Sequence, residues 1–209
     1  MKQLINKLKL RLQQPLPGQD AQYLMAPVDR ERFDPEVLKV KNYRPSAVMI
    51  VFCEDAQGDL FIPLIERMAY NGVHSAQIAL PGGKFEDTDV NLEQTAIREC
   101  FEEIGLKDIE VIGQLTQLYI PVSGFLVQPF VGICPVADPA MINQQREVKA
   151  IVKLKLGTLM SNDSIKKGII ETAQKMQINT SYFEVETYKV WGATAMMLSE
   201  LKEVLRSIG

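Results

Sequence analysis

Arg98, Glu99, Glu102 and Glu103 crowd four charges into less than two turns of a predicted helix. At about 100° per residue the three glutamates fall within roughly a 100° arc, so their carboxylates face one way. Glu99 and Glu103 stand four apart, and like charges at that spacing cost a helix roughly 0.2–0.5 kcal/mol. Two readings are open. One is a solvated acidic face; the other is a site for a hard cation such as Mg²⁺ or Mn²⁺, which prefers carboxylate oxygens. Arg98 and Glu102 are i,i+4 neighbours, so their pairing would clamp one carboxylate while the others face a metal. Ile97, Phe101 and Ile104 lie on the opposite side of this helix and are expected to be buried.

Upstream of the helix stands Pro81-Gly82-Gly83, then a loop with Glu86, Asp87 and Asp89. A glycine pair lets the backbone turn tightly and approach a ligand closely. Arg67 is a candidate phosphate contact, with a structural ion pair as the other reading. Glu147 is a candidate general base outside the helix, or else a surface strand charge. His74, in the loop before the glycines, is either a substrate contact or a surface residue. Tyr119 and Phe125 flank a turn that could border a pocket, and Trp191 is expected in the core.

The elements that must position these groups follow from periodicity and punctuation. Leu4, Leu8, Leu10 and Leu12, interleaved with Lys and Arg, predict a short amphipathic helix ended by Pro15, Pro17 and Gly18. Residues 19–43 read as an extended connection, so that 1–43 is an N-terminal extension and 44–209 the main domain. Residues 46–52 (SAVMIVF) and 60–65 (LFIPLI), with turn residues at 55–58, predict a hairpin whose second strand is bulged or at an edge because of Pro63. Strands are predicted over 108–119, 125–134 and 147–156, the last running into a short helix at 157–160. A further strand pair is expected at 165–172 and 182–190, and an amphipathic helix at 192–208. Strands between helices in this order predict an α+β fold, an α/β/α sandwich with a mixed sheet.

A chain of 209 residues is enough for one domain with a full core. A formal charge of −3 gives no general attraction to nucleic acid or anionic membrane. No stretch approaches the ~20 apolar residues of a membrane span. The lysine-interrupted N-terminus does not read as a signal peptide. Three scattered cysteines without a CxxC pair read as reduced thiols and a cytoplasmic setting; with one histidine they make zinc an unsuitable metal. The N-terminal helix is expected to dock on the domain, with a homodimer contact as the alternative.

The stretch from Gly83 to Leu106 resembles the Nudix box, G-x5-E-x7-R-E-U-x-E-E-x-G-U with U aliphatic. Gly83, Arg98, Glu99, Glu102, Glu103, Gly105 and Leu106 match it. Gly83 and Arg98 are one residue further apart than in the general box, Asp89 stands where the box has Glu, and Cys100 takes an aliphatic position. The extra residue is similar to the branch of coenzyme A pyrophosphatases. The upstream element of that branch, L-L-T-x-R-S/A-x3-R-x3-G-x3-F-P-G-G, is half kept: Arg67, the spacing and Pro81-Gly82-Gly83 match, while Met68, Gly72, Ala76 and Leu80 depart. With residues 121–125 and 190–195 the resemblance covers roughly residues 45–206. It implies a Nudix fold and Mg²⁺ or Mn²⁺ held by Glu99, Glu102 and Glu103. Arg98 would be their clamp and Arg67, Gly82 and Gly83 would lie against substrate. The implied reaction is hydrolysis of the diphosphate of coenzyme A or acyl-coenzyme A to 4′-phosphopantetheine (or its acyl form) and 3′,5′-ADP. ADP-ribose or another nucleoside diphosphate derivative is the enzymatic alternative, and a nucleotide-sensing module without turnover is the other.

Overall fold

The lysine-interleaved leucines form α1 (Lys2–Arg11), which ends before the prolines. Leu8 and Leu12 are buried, while Leu10 points to solvent at 64% exposure. A Cβ on Gly113 would sit 2.9 Å from Leu12, so the glycine leaves room for the helix to dock. Residues 19–25, expected to be extended, instead coil into α2 (Gln19–Gln22) and a 3₁₀ turn. The reason is tertiary: Ser199 Oγ donates to Ala21 O, and Glu200 accepts from Gly18 N and Gln22 Nε2. The computed structural model describes residues 2–34, 36, 42–68, 77–172 and 175–209.

β1 (Arg44–Glu54) contains the 46–52 run and turns back at Asp55, whose Oδ1 accepts from the N–H groups of Gln57 and Asp59. β2 (Leu60–Arg67) completes the expected hairpin. Pro63 sits beyond the β1–β2 ladder, which joins Cys53 to Phe61 and Glu54 to Leu60. Its missing N–H therefore leaves that ladder intact, but the strand is not at an edge: Pro63 stands opposite Lys153 on its other side, and the irregularity there falls at Glu66–Arg67. Next come β3 (Ile78–Ala79), β4 (Gly82–Lys84), α3 (Leu92–Ile104), β5 (Glu110–Gln114), β6 (Leu118–Ile120) and β7 (Phe125–Ala137). β8 (Val148–Lys155) leads into α4 (Leu156–Met160), followed by β9 (Ile165–Glu171), β10 (Gln177–Val185), β11 (Tyr188–Val190) and α5 (Gly192–Arg206).

Eight strands form one sheet in the order β3-β2-β1-β7-β5, with β4 beside β1, β6 beside β7 and β8 beside β2. β1 and β7 run parallel and the remaining ladders antiparallel. β9, β10 and β11 form a second, smaller sheet. Successive side chains of β1 point to opposite faces. Met49, Val51 and Cys53 pack with Ala96, Cys100 and Ile104 of α3. Ile50 and Phe52 pack with Leu198, Leu201 and Leu205 of α5. The result is the expected α+β sandwich, a mixed sheet between helices. All three cysteines are free and buried. Among the described residues no helix is long and apolar enough to cross a membrane.

Two strand expectations change. The 108–119 run breaks into β5 and β6, because Thr116 leaves the ladder and donates through N and Oγ1 to Glu200. The 182–190 run is a hairpin, β10 to β11, turning at Glu186 with φ 54.

Candidate active site

α3 begins at Asn91, whose side chain accepts from Gln94 N at 2.9 Å, while Gln94 Oε1 accepts from Val90 N. It ends at Gly105, left-handed at φ 78, whose N–H donates to Phe101 O. These reciprocal caps fix the register of the helix. Its rotation differs from the simple wheel. Ala96, Cys100 and Ile104 face the sheet, Phe101 is 51% exposed, and Glu103 is buried at 1%. Small side chains allow α3 to lie close to β1 and β4, so the carboxylate row begins inside the protein instead of opposite the core. The glycine pair makes that approach feasible. A Cβ on Gly83 would lie 2.2 Å from Glu99 Oε1, and one on Gly82 2.4 Å from Ala47 O.

Arg98 gathers the site. Its Nε and Nη2 donate to the two oxygens of Asp89 at 2.9 and 3.0 Å. Its Nη1 donates to Glu99 and to Glu102, each at 3.0 Å, and Nη2 also reaches Lys84 O. The i,i+4 contact with Glu102 is thus one of several, and the two-pronged partner is Asp89. Asp89 also accepts from Glu86 N and Thr95 Oγ1. These bonds, the Arg98 pair first, hold its carboxyl well below the usual range and hold the Arg98 guanidinium above its own.

Glu103 is treated differently. Its Oε2 accepts from Gly82 N at 2.8 Å. Its Oε1 is buried and receives no hydrogen bond, although Arg67 Nη2 lies 3.3 Å away. Arg67 instead donates to Gly82 O at 3.0 Å. Burial pushes the Glu103 carboxyl up to about 7; Arg67 and the Gly82 N–H oppose the shift, and the Glu99 and Glu147 charges add to it. Burial also raises Glu99, against the pull of Arg98. Glu147 is exposed in the turn before β8, not in the strand, and lines the same cavity.

That cavity has a volume of about 290 Å³ and gathers Arg67, Gly82, Gly83, Arg98, Glu99, Glu102, Glu103 and Glu147, with Lys84 and Glu86 at its wall. A larger cavity of about 620 Å³ shares Arg67, Gly82, Gly83 and Lys84 with it. Arg67, Gly82, Gly83, Arg98, Glu99, Glu102, Glu103 and Glu147, all candidates read from the sequence, therefore meet in one place. Phe125 and Trp191 line the larger cavity. Trp191 was expected in the core, but it precedes α5 at the cavity wall and is only half-buried. Tyr119 turns its ring to Phe33, 4.9 Å between centroids. His74 lies outside the described residues, as do Gly72 and Ala76. Sequence reasoning missed Asp89 as the main partner of Arg98. The available signal was an acid two residues before a helix N-cap, with a threonine and an arginine six and nine residues on.

Among the described residues no three acidic, histidine or cysteine side chains close on one point as a finished metal cage. The donor set nevertheless suits a hard cation, since Mg²⁺ binds through one or two carboxylates and keeps waters and substrate phosphates as its other ligands. Glu103 Oε1, a buried acceptor without a donor, fits such a group.

A sequence model of the NUDIX domain matches residues 43–167. The chain is 34% identical over 171 residues to an uncharacterized Nudix hydrolase, NudL, of Salmonella dublin, covering 78% of this chain and 83% of that one. It is 33% identical over 168 residues to the NudL protein of Escherichia coli SMS-3-5, covering 77% and 82%. A solved MutT/nudix family protein from Enterococcus faecalis superimposes with a TM-score of 0.54 at 14% identity, over 90% of this chain and 73% of that one. A Nudix hydrolase from M. smegmatis gives 0.50 at 13% identity, over 88% and 96%. These two likenesses speak for the fold, and the sequence matches speak for the family. The chain belongs to the Nudix hydrolase family.

Proposed function

We propose that this protein hydrolyses the diphosphate bond of a nucleoside diphosphate joined to a further organic group, with coenzyme A or acyl-coenzyme A as the first substrate to test. Residues 44–209 would be the catalytic unit and 1–43 an extension folded back onto it. The observation that carries the reading is Glu103. A carboxyl buried to 1% exposure, with one oxygen lacking a donor, stands beside Glu99, Arg67 and the glycine pair at the junction of two cavities. Leaving a buried acceptor unpaired costs about 1–3 kcal/mol, which a bound cation would offset.

Glu99, Glu102 and Glu103 would hold Mg²⁺ or Mn²⁺. When bound, the ion supplies positive charge against the diphosphate and makes an attacking water more acidic. Arg98 keeps Glu99 and Glu102 in place through its two Nη1 bonds. Arg67, part of both cavities, faces the phosphates. Glu147 or a box glutamate takes the proton of the water. Water adds across one P–O–P bridge; its oxygen bonds to one phosphorus, the bridging bond to that phosphorus breaks, and two phosphate monoesters leave.

The test is Mg²⁺-dependent turnover on coenzyme A, ADP-ribose, NADH and nucleoside triphosphates. Hydrolysis of coenzyme A above the others supports the first choice; preference for ADP-ribose moves the reading to that substrate. Tight binding of one compound with no hydrolysis of any would make the protein a sensor.

A further inference from the structure

The larger cavity differs from the acidic one in its walls and in where those walls come from. Its mouth is the shared set Arg67, Gly82, Gly83 and Lys84, two cations and a glycine turn. Beyond the mouth the lining is mostly apolar, with Pro27, Val48, Phe125, Ile178, Trp191 and Met197. Asp29, Arg30 and Thr194 are among the polar side chains there, and Arg30 is engaged by donating to Tyr119 O at 2.6 Å. A volume of about 620 Å³ is in the range of sites that enclose a sizeable organic molecule.

Much of the far wall lies outside residues 43–167, the span of the family match. Pro27 comes from the N-terminal segment, and Ile178, Trp191 and Met197 from the C-terminal third. The two are stitched together. Val28 N donates to Asn179 O, and Pro27 bridges to Thr180. Glu200, fully buried on α5, accepts from Gly18 N, Gln22 Nε2 and Thr116 Oγ1, the last at 2.6 Å. The segment leading to Pro27 is thereby fixed against the helix that carries Met197.

We propose that this far wall sets specificity, and that it takes an extended apolar group carried on the diphosphate rather than a second sugar. The proposal rests on the diphosphate reading above. Three observations argue for this occupant. The cavity is continuous with the acidic site through the four shared residues, so a group entering it stays attached to a phosphate at the mouth. The charges at the mouth are cationic, matching phosphate. Most of the wall is apolar, so beyond Asp29, Gln177 and Thr194 a sugar's hydroxyls meet few partners, and burying a hydroxyl unpaired is unfavourable.

The experiment uses the full chain with Mg²⁺ and a series of ADP β-alkyl esters: methyl, hexyl and decyl. Each methylene fully removed from water is worth roughly fourfold. With partial burial, kcat/KM is expected to rise at least tenfold from methyl to hexyl. Pro27→Ser, Ile178→Asn and Met197→Gln are each expected to lower that hexyl-to-methyl ratio about threefold or more. The ratio is read within one protein sample, so a poorly folded fraction cancels. Hydrolysis of all three esters at equal kcat/KM would place the chain in solvent and overturn the proposal, while leaving the diphosphate reading standing. Ratios unchanged in all three variants would overturn the assignment of the wall. Absence of hydrolysis of any ester, and of the compounds in the substrate panel, overturns both readings together.

Discussion

The two ends of α3 treat their charges in opposite ways. At the N-terminal end Asp89 is buried, yet both its oxygens are met by Arg98, and Glu86 N and Thr95 Oγ1 add further bonds. At the C-terminal end Glu103 is as deeply buried, but one oxygen has no donor and its carboxyl is raised to about 7. A fully satisfied buried pair resists change and holds its neighbours still. An under-satisfied one stores unfavourable energy that a ligand can relieve. The contrast divides one acidic helix into scaffold and site.

The largest break in that contrast is Glu103→Gln. Losing a first-choice ligand is expected to lower Mg²⁺-dependent turnover at least a hundredfold, beyond the 10–100-fold typical of supporting residues. Its stability should move the other way. Burial raises the Glu103 carboxyl from 4.5 to about 7. A carboxyl raised in the folded state keeps its proton where the unfolded chain has lost it. The penalty for charging it is absent below about pH 4.5, grows up to about pH 7 and is complete above that. Metal-free Glu103→Gln is thus expected to exceed the parent by about 3 kcal/mol at about pH 8 and to match it near pH 4.5. Urea unfolding with chelator present measures both; no gain at the higher pH would mean that Glu103 carries no such strain.

Arg98→Met attacks the scaffold half. It leaves Asp89, with a side chain 2% exposed, buried without its partner, and losses of about 3–5 kcal/mol are typical of that change. Adding Asp89→Asn should restore part of the loss, because the uncompensated charge is gone. A loss below about 1 kcal/mol would reduce the clamp to an ordinary surface pair.

Gly83→Ala probes the seam between the halves. Its Cβ would meet Glu99 Oε1 at 2.2 Å, so the carboxylate must swing away from Arg98. The moving group is the end of a flexible side chain, so stability should fall by only about 1 kcal/mol. The Mg²⁺ concentration for half-maximal activity should rise about tenfold. An unchanged metal requirement would remove Glu99 from the site.

Local chemistry was legible in the sequence where one element decided it. The β1–β2 hairpin followed from its apolar runs and turn residues, and α5 from its periodicity. The gathering of Arg67, the glycine pair and three glutamates, from three separate elements, was instead implied by the resemblance to the Nudix box and its upstream element. What escaped depended on the approach of separate elements. A helical wheel places Glu103 outward and Phe101 inward, but Ala96 and Cys100 are small enough to roll α3 toward β1, burying one and exposing the other. Thr116 leaves its strand for a glutamate 84 residues away. Residues 19–25 are weakly patterned alone and become helical because Ser199 donates and Glu200 accepts across the core. The larger cavity could not be read from spacing, since its walls meet from both ends of the chain.

The smallest expected effect comes from Asn91→Ala, and it sharpens the contrast from outside both halves. Asn91 touches neither the clamp nor Glu103; its Oδ1 accepts from Gln94 N at the first turn of α3. Removing an N-cap side chain costs about 1 kcal/mol. The cap acts on the whole helix, so the loss should appear in urea unfolding at any pH and with or without metal. Folded Asn91→Ala should keep the parental Mg²⁺ requirement and turnover, because Arg98 and the Gly82 N–H still hold Glu99 and Glu103. A shifted Mg²⁺ requirement would mean that the carboxylates are positioned by the helix start rather than by the clamp, and the division of α3 into scaffold and site would fail.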